Sequence, residues 1–268
     1  IELSESGLYL GQTGQSTNSG TIRVAADQLL ISGGGLTNTA TGGIDIAAGR
    51  TVTLNANNGG TFDDSAGTIT GVGNLTLNNT TARLDANVTL GGLTANSSTV
   101  YLAGDLSMAN TALSLSGVTL NGPGKLTNTA GSTLHLIWDT LNVDVENNGQ
   151  IVVEGERSYL NGNLTTGHGS AIEIREGSPY NNGILVVAQG FTNHGLIELT
   201  SEGDAAPYNR AILDISGVLV NAFDGTIRSA DASGLGGTRN LFVTSFENRG
   251  LIELSESGLY LGQTGQST

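Results

Sequence analysis

The chain has 268 residues, 37% of them hydrophobic and only 13% charged, with 41 Gly, 3 Pro and no Cys. That balance is too apolar and too weakly charged for a disordered segment, and the absence of Cys excludes a disulfide framework or a thiolate-ligated metal. The net charge of −14, with Lys125 the only lysine, argues against a nucleic-acid partner, because Lys and Arg drive counter-ion release. No apolar run approaches the roughly 18 residues of a spanning helix, so no membrane insertion of this segment is expected.

Along the chain a short phrase keeps returning: a turn with Asn or Gly, an aliphatic residue, one polar residue, then usually another apolar one. It reads GTIRV at Gly20–Val24, GGIDI at Gly42–Ile46 and GTITG at Gly67–Gly71. It returns as STLHL at Ser132–Leu136, GQIVV at Gly149–Val153, SAIEI at Ser170–Ile174, GLIEL at Gly195–Leu199, GTIRS at Gly225–Ser229 and GLIEL at Gly250–Leu254. The central residues are Ile22, Ile44, Ile69, Leu134, Ile151, Ile172, Ile197, Ile227 and Ile252, mostly 17 to 30 residues apart. The wide gap from Ile69 to Leu134 holds more alternating segments at Leu75, Asn87, Thr99 and Ala112. A second set of strand phrases starts at Leu29, Thr51, Ile184, Ala211 and Asn240. Period-2 alternation bordered by Gly and Asn predicts very short strands and no helix.

Many short strands at near-regular spacing, none able to bury its face alone, predict a solenoid. Its turns stack about 4.8 Å apart with the nine aliphatic residues in one inner column. The fold class expected is all-β, a right-handed parallel β-helix of about eleven turns, roughly 53 Å long. Variable turn length excludes a strict six-residue left-handed helix, and the calcium-binding nonapeptide is absent.

The first seventeen residues, IELSESGLYLGQTGQST, return without change at Ile252–Thr268. A solenoid continued by tandem copies carries its opening turn again. The expectation is therefore one repeat unit over residues 1–251 and the first turn of a next copy over 252–268, with no cap at either end.

The phrases LTNTATGGIDIAAGRTVTLN, GNLTLNNTTARLDANVTLGG and FTNHGLIELTSEG resemble the β-helical shafts of filamentous-haemagglutinin-like adhesins and autotransporter passenger domains. The resemblance covers essentially the whole chain and implies secretion, a cell-surface location and a role in attachment or matrix formation. It supplies no catalytic residue.

Several residue sets are candidates for chemistry or for structure. The polar residue inside the phrase alternates in sign over Glu2, Arg23 and Asp45 and again over Glu198, Arg228 and Glu253, with Glu173 below; this predicts an outward ion-pair ladder that specifies register. Asn18, Asn147, Asn193 and Asn248, each two residues before Gly, predict corners held by amide chemistry. Tyr159, Tyr180 and Tyr208 fall at comparable places in successive turns beside acids and Arg, a surface able to lie against sugar rings. Asp63 with Asp64, Glu154 with Glu156 and Glu173 with Glu176 are the carboxylate pairs available for acid–base work, which requires convergence on one cleft. His135, His168 and His194 stand alone in the sequence, and no metal, cofactor or catalytic set is expected. The function expected is a stiff structural spacer whose partners are further copies of itself. The alternatives are a glycan- or partner-binding module on the Tyr corners and a polysaccharide-active β-helix.

Overall fold

The computed structural model describes the chain except residues 4–7, 12–13, 27, 57–59, 86–87, 109–111, 178–179, 181, 203–208, 231–236, 256–257 and 264–268. The fold is an all-β parallel β-solenoid of about ten turns, close to the eleven counted from the sequence. No described residue is helical. The chain forms two compact units, Ile1–Leu126 and Thr127–Thr268.

In the first unit one sheet stacks Glu2–Leu3, Thr21–Val24, Gly43–Ile46 and Thr68–Gly71. A second stacks Leu8–Gly11, Gln28–Ser32, Thr51–Asn55, Asn74–Asn78, Gly92–Asn96 and Ala112–Ser116. Gln15–Asn18, Gly35–Asn38 and Thr61–Asp64 begin the third, which continues through Thr81–Leu84, Thr99–Leu102 and Thr119–Asn121. Strands this short alternate strictly, so every second side chain enters the core. Leu29, Val52, Leu75, Leu93 and Leu113 form one buried column in register, and Phe62 lies between Leu36 and Ala82 in another. Each such side chain contributes about 1.5–3 kcal/mol by leaving water.

The second unit repeats the scheme. One sheet runs from Thr133–Ile137 through the first half of Gln150–Leu160 to Ala171–Gly177, Leu196–Glu202, Thr226–Ala230 and Leu251–Ser255. Another takes Thr140–Leu141, the second half of Gln150–Leu160, Gly183–Val187, Arg210–Asn221, Thr238–Asn248 and Leu259–Gln263.

The nine aliphatic residues of the recurring phrase do not make the single column expected. Ile22, Ile44 and Ile69 are in register on the four-stranded sheet of the first unit, and a single bridge from Ile69 to Val88 follows. Leu134, Ile151, Ile172, Ile197, Ile227 and Ile252 are in register as a separate column of the second unit. The phrase marks the strand that follows an amide corner, and that corner opens different sheets in the two units. Of the segment expected at Asn87, only its later residues are described.

Those corners hold stacked amides. Asn18 donates to Asn38 at 2.8 Å, and Asn38 to Asp64 at 2.6 Å. In the second unit Asn128 donates to Asn147 at 2.7 Å, Asn193 to Asn221 at 2.9 Å and Asn221 to Asn248 at 2.8 Å. The amide nitrogens of Asn18, Asn38, Asn128, Asn193 and Asn221 also donate to a main-chain carbonyl of a following strand, and Asn147, which accepts from Asn128, donates to Ala171 O. Thr166 replaces Asn once, its hydroxyl donating to Thr192 O at 3.0 Å.

Asp64 is a carboxylate, and Asn38, Asn128 and Asn221 have no Gly two residues on, so spacing to Gly does not mark these corner residues. Their corners are longer: Gly42 N donates to Thr39 O, Ser132 N to Thr129 O and Gly225 N to Ala222 O, each closing a β-turn between the amide and its strand. Asn221 is fully buried and makes three of these side-chain bonds. Asn221→Ala is expected to destabilise the protein by about 2–4 kcal/mol in urea denaturation, since it removes an acceptor of Asn193 and the donor to Asn248 and to Leu251 O.

A second corner places a residue in the left-handed region in most described turns, Ala56 being the exception in this series. It is Gly33 (φ 83°), Asn79 (49°), Ser97 (47°) and Gly117 (64°) in the first unit, and Trp138 (62°) and Gly155 (82°) in the second. Gly and Asn suit that conformation; a bulky indole does not.

Candidate functional site

The outward polar residues of the phrase form two stripes. In the first unit the backbone of Glu2 is in register with Arg23, and Arg23 with Asp45, where Nε lies 3.2 Å from Oδ2. In the second, Glu173, Glu198, Arg228 and Glu253 are in register. Arg228 lies 2.8 Å from Glu198 and 4.0 Å from Glu253, which raise its pKa. Glu173 stands beside Glu198, a like-charge neighbour, and is neutralised along its own strand by Arg175 Nε at 2.6 Å. Gln150 donates to the same carboxylate at 2.7 Å. His135 bonds Glu154 at 3.0 Å, a contact that holds the Glu154 pKa down. His135 is thus a member of this network, which sequence spacing did not reveal because its partner sits one turn away.

The strand pleat divides Asp63 from Asp64 and Glu173 from Glu176, while Glu154 and Glu156 are two residues apart and meet different partners. Asp63 is half-buried and accepts from the Ser65 amide and hydroxyl, which lower its pKa, whereas Asp64 is fully buried against Asn38. Glu173 faces outward, while Glu176 is buried in the core with Arg239 Nη1 2.6 Å from its Oε1. Glu154 meets His135, and exposed Glu156 accepts from Asn182 at 3.1 Å. Adjacent acids therefore serve different neighbours. Among the described residues, no group of three His, Asp or Glu is placed to hold a metal ion.

The Glu176–Arg239 pair had no signal in the sequence. Arg239 is in register with Ala211, and Ala211 with Gly183, so small residues in its inner column leave space for the guanidinium. Gly237 (φ 107°) passes so close to Glu176 that an added Cβ would overlap its carboxylate.

The aromatic corner of the second unit differs from the one expected. Tyr159 is in register with Thr140 and Val186 on the sheet, and Tyr208 lies outside the described residues. Tyr180 instead meets Trp138, their ring centroids 5.5 Å apart and planes at 84°. Trp138 is 50% exposed and lies over Gly155, where an added Cβ would come within 2.6 Å of Nε1. Left-handed backbone at a bulky residue costs on the order of 1–3 kcal/mol. Trp138→Gly is expected to be more stable than Trp138→Ala by about 1 kcal/mol, measured by thermal unfolding of both variants. Trp138 escaped the sequence reading because nothing local marks the left-handed position.

A separate surface groove of about 420 Å³ lies at the other corner, lined by His194, Phe223, Asp224 and Arg249 among others, with His194 Nδ1 2.9 Å from Asp224. The fold and these stripes define the class: a parallel β-solenoid with ordered polar ladders on its faces. No family model, curated protein or solved structure matches the chain.

Proposed function

We propose that this chain is a structural repeat of a long extracellular or cell-surface shaft, a stiff spacer extended by further copies of the same solenoid. The observation that carries the reading is the pairing of the duplicated segment. Its first copy pairs with the strands that follow it: Glu2 with Arg23, Leu3 with Val24, Leu8 with Leu29. Its second copy pairs with the strands that precede it: Ile252 with Ile227, Glu253 with Arg228, Leu261 with Leu241. One sequence thus has a compatible neighbour on either edge, which is what an interior turn requires. The charge order is compatible too: a Glu between Arg228 on one side and Arg23 on the other continues alternation of sign.

The composition supports an exposed shaft, since acidic surfaces repel one another and resist lateral clumping. The resemblance to adhesin shafts supports secretion.

The test is a chain carrying residues 1–251 followed by the full 1–268, compared with the single copy by small-angle scattering and electron microscopy. A rod of unchanged width, longer by about 4.8 Å per added turn, is expected. Two rigid bodies joined at a variable angle would sink the proposal.

A further inference from the structure

We propose that the Trp138–Tyr180 corner of the second unit binds neutral pyranose oligosaccharides, a function independent of the spacer role. The corner position that Trp138 occupies is filled elsewhere by Gly33, Asn79, Gly117 and Gly155, residues that accept left-handed backbone with little strain, and by the small Ser97. Placing the chain's one Trp there gains nothing for the turn and holds half of an indole in solvent. Gly155 beneath it leaves room for the ring and fixes its height above the sheet.

The two rings meet at 84°, so they form two walls of a corner rather than a stacked pair. One wall can take the C–H face of a pyranose, where apolar contact costs no hydrogen bond. Polar groups stand alongside for the equatorial hydroxyls. Asn182 donates to Glu156 at 3.1 Å and accepts from Arg210 N at 3.0 Å, so both its amide and the Glu156 carboxylate are held in a set orientation. Polar groups that are already oriented lower the ordering cost that otherwise weakens sugar binding.

Charge selects the class of sugar. Glu154 and Glu156 stand at this corner, and Arg175 is already engaged by Glu173 at 2.6 Å and Glu154 at 3.8 Å. A uronate or sialylated chain would meet the Glu154 and Glu156 carboxylates, while Arg175 is held by Glu173 and Glu154. A neutral hexose chain carries no such penalty.

Because the chain holds a single Trp, its emission reports on this corner alone. The probes are maltohexaose, cellohexaose and chitohexaose, with hexagalacturonate and tetramethylammonium as controls. At least one neutral hexasaccharide is expected to shield Trp138 from acrylamide quenching with saturation in the millimolar range typical of weak ligands. Trp138→Ala and Tyr180→Ala are each expected to weaken that binding about tenfold or more by calorimetry while unfolding stays cooperative. If Trp138→Ala does not fold, Tyr180→Ala and Asn182→Ala carry the comparison. The proposal is overturned if no neutral hexasaccharide changes the quenching, if only a control does, or if binding survives these substitutions.

Discussion

Asp64→Asn is expected to stabilise the protein at neutral pH and to remove a pH dependence that follows from the raised pKa of this carboxyl. Asp64 ends the amide stack of the first unit, fully buried, with Oδ1 accepting from Asn38 at 2.6 Å and Oδ2 without a hydrogen-bond partner among the described residues. Burial raises its pKa from 3.8 to about 6; the Asn38 bond works against that rise, and the charges of Asp85 and Asp63 add to it. The sign follows from the protons bound. Between pH 4 and 6 the folded state holds a proton on Asp64 that the unfolded chain has released. Stability from this group is therefore fully present below its unfolded pKa and lost as pH rises through about 6. A shift of this size corresponds to about 3 kcal/mol by pH 7.

Asn at 64 keeps the acceptor for Asn38 and cannot ionise. The gain in unfolding free energy of Asp64→Asn over the native chain is expected to be small at pH 4 and to approach about 3 kcal/mol at pH 7. Urea denaturation across that range measures it. A gain that is flat with pH, or a loss at pH 7, would show that Asp64 is not buried in charged form.

Arg239→Met is expected to have the opposite and larger effect. It removes the cation from a pair in which both side chains have no solvent exposure, leaving Glu176 buried beside Gly237. Breaking such a pair costs about 3–5 kcal/mol, because one charge is left where water cannot reach it. It also removes the donor to Ala230 O at 3.0 Å. The double variant Glu176→Leu with Arg239→Met should recover most of that loss, since two apolar side chains incur no charge desolvation. A double-mutant cycle by chemical denaturation reads both quantities. Equal stability for Arg239→Met and the native chain would place the pair in solvent rather than in the core.

Neither Asp64 nor Arg239 carries a local signature of its burial. The short strands were legible because alternation has a period of two and needs no distant information. The outward placement of Arg23, Asp45, Glu198, Arg228 and Glu253 followed from the same alternation. Asn18, Asn147, Asn193 and Asn248 could be read as corners from their spacing to Gly. Asn38, Asn128 and Asn221 could not under that rule, since a β-turn lengthens their corners by two residues.

Alternation cannot say which of several sheets receives a strand. That is why Ile22, Ile44 and Ile69 were assigned to the column that holds Leu134 and Ile252, although they form their own. His135 with Glu154, Glu176 with Arg239 and Trp138 with Tyr180 lie 19, 63 and 42 residues apart and meet only because turns stack.

By itself, then, the sequence determined that the chain coils from short parallel strands and which face of each strand is apolar. Local pattern suffices for those, because each depends on residues a few positions apart. Only the tertiary structure decided which turn lies on which, and so which charges are buried, which amides are shared and which aromatic ring is lifted into solvent. Stacking distance is about 4.8 Å whatever the number of residues in the turn, so loop length hides from the sequence what the coil brings together.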